Sequence, residues 1–465
     1  MLNDDVLLNI FRLYKPALVD KDEVDNTRIL QGGEWARERW WQKLVHVCQR
    51  WRYLVFESAS HLDLCLVCTY GTPVADMLVY SPRLQLIIDY VDEDRDVTAE
   101  DEEGIIIALR HRDRVRRIRL QTPIPSLQKF LMAIEETFPV LEYLYIAPPT
   151  MQDTSLKLSQ TFEAPLLRHL ILINLAFPIK SPLLTTAVGL VTLMLQEIHP
   201  SVYFGPNDLL QRLSEMHHLD TLGITFHSPV PTRDIQRELF DTPITTHVTL
   251  PNLRWFGFKG PSAYLEALLP RMTAPLLEKL QVGFFNQLTF SVPHLLQFMR
   301  TKEHLKLSNA KISFHEEDVF VTVYPREEVK MLTLYLEVGC RHLDWQVSSA
   351  AQIFTALGPV FSAVVDLTLD YREHSLSSEW HNEADHAQWR EFLGSFDNVK
   401  TLRVHDGLVE ELSRSLLPDD GEVLLGLLPE LEVLEYSAEG DDADAFSAFV
   451  DARRVAGRPV SLIRR

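Results

Sequence analysis

Cysteine, glycine and positive charge are all scarce in this 465-residue chain, and each scarcity excludes something. The four cysteines, Cys48, Cys65, Cys68 and Cys340, are too few for a disulfide-held extracellular protein of this size, which points to a reducing compartment. With 45 Lys and Arg against 65 Asp and Glu, the formal charge is −20. That balance lacks the clustered cations a nucleic-acid backbone demands, so no nucleic-acid partner is expected. Only 18 glycines occur, and the Gly-x-Gly-x-x-Gly, Walker and Gly-x-Ser-x-Gly patterns are absent. Apolar runs are short: the one from Leu170 to Phe177 stops at Pro178, well below a bilayer span. The opening Met1-Leu2-Asn3-Asp4-Asp5 is acidic where a secretory signal is basic and then apolar. The expectation is a soluble protein of the cytoplasm, the nucleus or both, without membrane contact.

Clusters that could carry chemistry are few. Cys65-x-x-Cys68 has half the spacing of a zinc or redox site, but the alternation of Leu62, Leu64, Leu66 and Cys68 places Cys65 on the opposite strand face. His381, Glu383, Asp385 and His386 lie between Trp380 and Trp389, with the histidines five apart rather than the four that suits a helical metal pair. The acidic stretch from Asp89 to Glu103 lacks the glycine-centred geometry of a calcium loop and reads as an insertion. No nucleophile, base and orienting group are brought together. The chain is therefore expected not to be an enzyme, with no catalytic residue, no cofactor and no metal.

What the chain does contain is a recurring phrase, Leu-x-x-Leu-x-Leu in idealised form. It appears thirteen times, for example at Leu141-Leu144-Ile146, Leu167-Leu170-Leu172, Leu219-Leu222-Ile224, Leu277-Leu280-Val282, Val399-Leu402-Val404 and Leu431-Leu434-Tyr436. Successive first positions lie between 23 residues (Leu167 to Leu190) and 35 residues (Val329 to Val364) apart. Two copies are degenerate: that at Leu84 puts Asp89 third, and that at Lys302 keeps only Leu305 and Leu307. The last two apolar positions have strand periodicity and face one way. Between phrases, helical stripes recur: Leu127, Leu131, Ile134 and Phe138 before Pro139; Leu209, Leu210, Leu213 and Met216; and Phe446, Phe449 and Val450. A strand with a helical return, repeated, predicts an α/β fold with parallel strands stacked in a curved sheet.

From about residue 80 to the end, these phrases resemble leucine-rich repeats, and the resemblance implies a solenoid that holds another macromolecule. The family's Asn or Cys, three residues past the last apolar position, is replaced here by Pro149, Leu175, His227, Phe285, Glu337, Arg372 and Gly407, so the contacts between coils must be made otherwise. Proline-led strand starts at Ala164-Pro165, Leu250-Pro251 and Ala274-Pro275 resemble those of fungal F-box-like proteins. Contacts to a protein substrate are expected from positions between the inward leucines: Tyr143, Tyr145, Trp255, Lys259, Tyr335, Asp370, Arg403 and His405.

Residues 2–14 form an apolar helix, and a second is expected from Trp40 to Phe56, separated by a charged loop from Asp20 to Gly33. Two short helices cannot bury so many large apolar side chains against each other. The surplus goes either into a partner's groove or onto the first repeats as a cap. Leu2-Asn3-Asp4-Asp5-Val6-Leu7-Leu8-Asn9-Ile10-Phe11 resembles the opening of an F-box, and Val47-Cys48-Gln49-Arg50-Trp51-Arg52 its second-helix signature, although Asn3 stands where the family has proline. That resemblance implies a Skp-family adaptor and, through it, a cullin–RING ubiquitin ligase. Its adaptor contacts would fall on Leu2, Val6, Leu7, Ile10, Phe11, Leu44, Val47, Cys48 and Trp51. The expected layout is an F-box-like helical domain over 1–60 and a leucine-rich-repeat-like solenoid over 61–465, acting as a substrate receptor. The alternative is an interaction scaffold without a ligase, whose front helices only cap the repeats.

Overall fold

The computed structural model describes residues 3–15, 39–80, 84–91, 95–149, 156–227, 244–285, 291–301, 307–326, 333–340, 342–371, 386–405, 407–417, 426–437 and 445–465. The chain divides into two compact units, Met1–Val202 and Tyr203–Arg465. Each is a mixed α/β body, and most of its strand pairs are parallel.

The first unit begins with helices α1 (Asp4–Tyr14), α2 (Gln42–Val45) and α3 (Gln49–Glu57). Strands and helices then alternate: β1 (Cys65–Cys68), α4 (Val74–Tyr80), β2 (Gln85–Val91), α5 (Ala99–Leu109), β3 (Val115–Gln121), α6 (Ile124–Ala133), β4 (Tyr143–Ala147), β5 (His169–Ile173), α7 (Pro182–Thr186) and β6 (Thr192–Ile198). Strands β1 to β6 lie side by side in chain order, all parallel. The phrase residues Ile118, Leu120, Leu144, Ile146, Leu170 and Leu193 are buried on one face. Each contributes about 1.5–3 kcal/mol by leaving water.

Several local expectations are corrected. The helix expected from Trp40 to Phe56 is broken at Cys48, whose extended backbone (φ −160°) makes it the N-cap of α3; its Sγ accepts from the Trp51 N–H at 3.5 Å. Ile134 and Phe138 are fully buried but lie beyond the end of α6. The acidic stretch is not wholly an insertion. Thr98 and Asp101 form a reciprocal capping box that starts α5, and acidic residues in its first turn suit the helix dipole. In the Leu84 copy, Ile88 pairs with Ile118 and Tyr90 with Leu120, so the inward residues are Ile88 and Tyr90, not Ile87 and Asp89. An irregularity between Leu86 and Ile87 moves the register by one residue.

The second unit comprises α8 (Pro206–Leu213), β7 (Thr221–Phe226), β8 (Val248–Thr249), β9 (Trp255–Gly260), α9 (Ser262–Leu268), β10 (Met272–Thr273), β11 (Lys279–Phe284), α10 (Pro293–Arg300), β12 (Asn309–Phe314), β13 (Asp318–Tyr324), β14 (Thr333–Gly339), α11 (Leu343–Ala356), α12 (Gly358–Phe361), β15 (Asp366–Tyr371), α13 (His386–Leu393), β16 (Thr401–Val404), α14 (Val409–Ser415), β17 (Val433–Tyr436), α15 (Ser447–Val455) and β18 (Ser461–Arg464). Its large sheet runs β7-β9-β11-β14-β13-β12-β15-β16-β17-β18, while β8 and β10 pair separately. Met216 is buried but lies past the end of α8. Phe446 is the N-cap of α15 rather than a turn within it.

At the degenerate Lys302 copy the parallel order fails. Strand β13 runs antiparallel to both β12 and β14, and the three strands appear in reverse chain order. Only three residues separate Phe314 from Asp318, which allows a hairpin but not a parallel crossover of a dozen residues. The alternation of Val319, Val321 and Val323, all buried, carries this hairpin in the sequence.

Backbone bonds join the strand starts. At several of them, the residue after the first phrase position donates its N–H to its counterpart one strand earlier. Glu142 bonds the Arg116 carbonyl (2.8 Å), Arg168 bonds Glu142 (2.8 Å), Arg254 bonds Asp220 (2.8 Å), Glu278 bonds Arg254 (2.8 Å), and Glu432 bonds Lys400 (2.8 Å). Side chains at these positions pair in charge, as in Arg116–Glu142 at 2.9 Å, Arg254–Glu278 at 3.2 Å and Lys400–Glu432 at 2.7 Å. The proline-led starts are turns: Leu167 donates to the Ala164 carbonyl (3.1 Å), Leu253 to Leu250 (3.3 Å) and Leu431 to Leu428 (3.1 Å). Proline occupies the second residue of each turn, where its fixed φ is already correct.

Candidate protein-docking surfaces

The front helices divide their apolar side chains between two faces. Leu7 and Phe11 of α1, Leu44 and Val45 of α2, and Leu54 and Val55 of α3 are buried. Phe11 meets Trp51 edge to face at 4.8 Å, and Trp41 meets Phe56 at 6.0 Å. Arg50 bonds Asp4, which ties α3 to the start of α1. On the other face, Val6 (43% exposed), Ile10 (43%) and Leu13 (85%) stand at helical spacing, and Val47 is 58% exposed. Tyr14 and Tyr53, which the sequence reading did not include, are exposed as well.

This division sorts the expected contact set by exposure. Leu7, Phe11 and Leu44 are buried within the chain. Val6, Ile10, Val47 and Cys48 are open to solvent, Trp51 is half-buried against Phe11, and Leu2 lies outside the described residues. The same helices also close on the sheet: the indole N–H of Trp41 donates to the Cys65 carbonyl at 3.1 Å. Asp63, between the helices and β1, pairs with Lys15 (3.0 Å) and with Arg116 of β3. Those two cations outweigh burial and hold its carboxyl below the usual aspartate range.

A second candidate is the sheet face opposite the buried leucines, although in the first unit Ile87, Asp89, Arg119, Ile171 and Met194 on it are themselves buried. In the first unit, paired residues form rows across the strands: Ile87, Arg117, Tyr143, His169 and Thr192 in one, and Asp89, Arg119, Tyr145, Ile171 and Met194 in the next. Tyr143 and Tyr145 therefore share this face. Arg117 lies 5.4 Å from the centre of the Tyr143 ring, and Arg119 5.9 Å from that of Tyr145. His169 continues the first row, 5.6 Å from Tyr143, with Nδ1 3.1 Å from the Thr192 hydroxyl. Asp89 and Arg119 form a buried ion pair at 2.6 Å. Burial raises the Asp89 carboxyl to about 6, against the opposing pull of Arg119. The buried Tyr143 hydroxyl has no hydrogen-bond partner among the described residues, and burial pushes it up to about 12.

In the second unit the corresponding face carries Trp255, Lys259, Tyr335, Asp370 and Arg403, with His405 just beyond β16. These residues are spread over many strands and do not converge on one point. Instead they form cross-strand ion pairs: Lys259–Glu337 at 2.6 Å, Lys311–Asp370 at 3.0 Å and Arg403–Glu435 at 3.2 Å. Exposed Phe320, Tyr324 and Tyr335 stand among them. Phe320 and Tyr324 belong to the hairpin, so reading the repeat phrases alone passed over them.

The remaining sequence candidates are dispersed. Cys65 pairs in register with Gln85 and Cys68 with Ile88, on opposite faces of β1. Burial pushes the Cys68 thiol up to about 12, which keeps it from acting as a thiolate. His381, Glu383 and Asp385 lie outside the described residues; His386 approaches Ser415, with Nδ1 3.2 Å from the hydroxyl. Among the described residues no cluster of His, Cys, Asp or Glu could hold a metal, and no helix is long and apolar enough to cross a membrane. No protein-family model matches the chain, and no curated protein matches it either.

Proposed function

We propose that this chain is the substrate-recognition subunit of a cullin–RING ubiquitin ligase. In this reading α1 to α3 are an F-box-like domain docking on a Skp-family adaptor, and the repeats form a leucine-rich-repeat-like solenoid whose sheet face holds a protein substrate. The observation that carries it is the exposed ridge of Val6, Ile10 and Leu13 on α1, whose other face is already buried, together with exposed Val47 between α2 and α3. A ridge of spaced apolar anchors on a helix suits a hydrophobic groove, and it coincides with the segments that resemble an F-box. Val6, Ile10, Val47, Cys48 and Trp51 carry the contact, while Leu7, Phe11 and Leu44 position them. The receptor's contribution is effective concentration: it holds a substrate lysine near the ubiquitin-charged carrier without altering the bond chemistry.

A second reading has its own observation. The bond from Trp41 to the Cys65 carbonyl and the burial of Trp40 and Trp41 fit helices that serve as a cap for a non-ligase scaffold. Co-expression with a Skp-family adaptor separates the two. The receptor reading expects co-purification, lost at least tenfold in Ile10→Asp and Leu13→Asp, whose circular dichroism stays native. Wild-type protein that is folded yet never co-purifies leaves only the scaffold.

A further inference from the structure

We infer that the patch formed by Trp255, Lys279 and Tyr335 on the second unit's sheet binds an extended peptide in which an acidic residue lies between two apolar ones. This rests on the reading of that sheet face as a surface that holds proteins, and it names the kind of segment held.

Charge is the first argument. Lys259, Lys311 and Arg403 on this face each have a carboxylate one or two strands away. Lys279 is exposed and has no side-chain partner among the described residues. It lies on β11, in register with Trp255 on one side and Thr333 on the other. The unmet charge of the patch is therefore positive, and a carboxylate satisfies it. A single cation on a chain of net charge −20 is far from the basic stripe a nucleic acid requires.

Relief is the second argument. Gly257 and Gly283 present no side chain to this face. The Trp255 ring occupies the space that a Cβ at Gly257 would fill, and the Lys259 stem crosses Gly283, its Cγ 2.8 Å from where a Cβ would stand. The floor is thus low, with Trp255 half-buried on one side and exposed Tyr335 on the other. Aromatic anchors around a polar contact are the composition of an interface core. Trp255 is in register with Lys279, and Tyr335 lies on the strand beyond, two residues further along, so the two anchors stand about 12 Å apart. In an extended peptide alternate residues face the same way and lie about 6.6–7.2 Å apart, so the two apolar residues are four positions apart with the acidic residue midway. The segment read is apolar-x-acidic-x-apolar.

The test uses the full chain and two fluorescein-labelled seven-residue peptides, one centred on Phe-Ser-Glu-Ser-Phe and one on Phe-Ser-Lys-Ser-Phe, in fluorescence polarisation at low salt. The inference expects the glutamate peptide to bind at least tenfold more tightly. Lys279→Glu reverses the preference, and Tyr335→Ala, at an exposed position, weakens both peptides. Equal affinity for the two peptides, or indifference to Lys279→Glu, overturns it. Concentration-dependent self-association that Lys279→Glu abolishes assigns the patch to a second copy of the chain and also overturns it. None of these outcomes touches adaptor binding through the front ridge. Loss of adaptor binding with peptide discrimination intact sinks the ligase reading alone.

Discussion

Trp41 donates its indole N–H to the main-chain carbonyl of Cys65 across 3.1 Å, joining the front helices to β1. Among the described residues of its unit's sheet β1 pairs with β2 alone, and this bond gives it a further contact. Trp41→Phe keeps an aromatic ring and removes the donor. Leaving a buried carbonyl without that bond costs about 1–3 kcal/mol. The expected result is a lower urea midpoint with an unchanged slope. A midpoint equal to wild type would show that the indole contributes only its ring.

The buried pair of Asp89 and Arg119 makes a sharper test. Asp89→Leu strands a guanidinium whose side chain is 2% exposed, at a cost of about 3–5 kcal/mol. Asp89→Leu combined with Arg119→Met removes both charges and is expected to recover most of that loss. A double-mutant cycle by denaturant unfolding measures the coupling. Additive losses would mean that the two side chains act independently despite their 2.6 Å separation.

Stability should fall as pH rises through weakly acidic values, partly because of Asp318. Burial first, then the charges of Glu337 and Glu317, raise its carboxyl from 3.8 to about 6, with Lys259 opposing. The folded state thus holds this proton more tightly than the unfolded state does. The stabilisation is fully present below pH 4 and is lost as pH passes 6. Asp89, also raised to about 6, works in the same direction. Asp318→Asn has no proton to lose, so it should gain about 1 kcal/mol at pH 7.5, a figure held down by solvent screening, and almost nothing at pH 4. A pH-independent effect of the substitution would exclude this origin.

Much of the strand pattern was legible because its signal is local. At Leu144, Ile146, Leu170 and Leu172 the spacing marks residues that are in fact buried in strands. Where a non-local irregularity intervenes, spacing misleads. Asp89 occupied an inward slot by counting, but the irregularity between β2 and β3 turns it to the other face, where Arg119 meets it. The hairpin of β12 and β13 was missed because counting toward the next Leu-x-x-Leu-x-Leu hid a two-residue alternation. Helix lengths were overestimated at Ile134 and Met216, whose burial continues after the helical backbone has ended.

The sequence by itself determined which side chains are apolar, how often a strand recurs and where proline forces a turn, because these follow from residue type and neighbours a few positions away. Only the tertiary structure decided which half of each front helix faces inward, leaving Ile10 open while sealing Phe11. It also decided that Lys279 has no side-chain partner among the described residues while Lys259 reaches Glu337. Such outcomes depend on which strands become neighbours, and residues 78 positions apart in the chain carry no local mark of meeting.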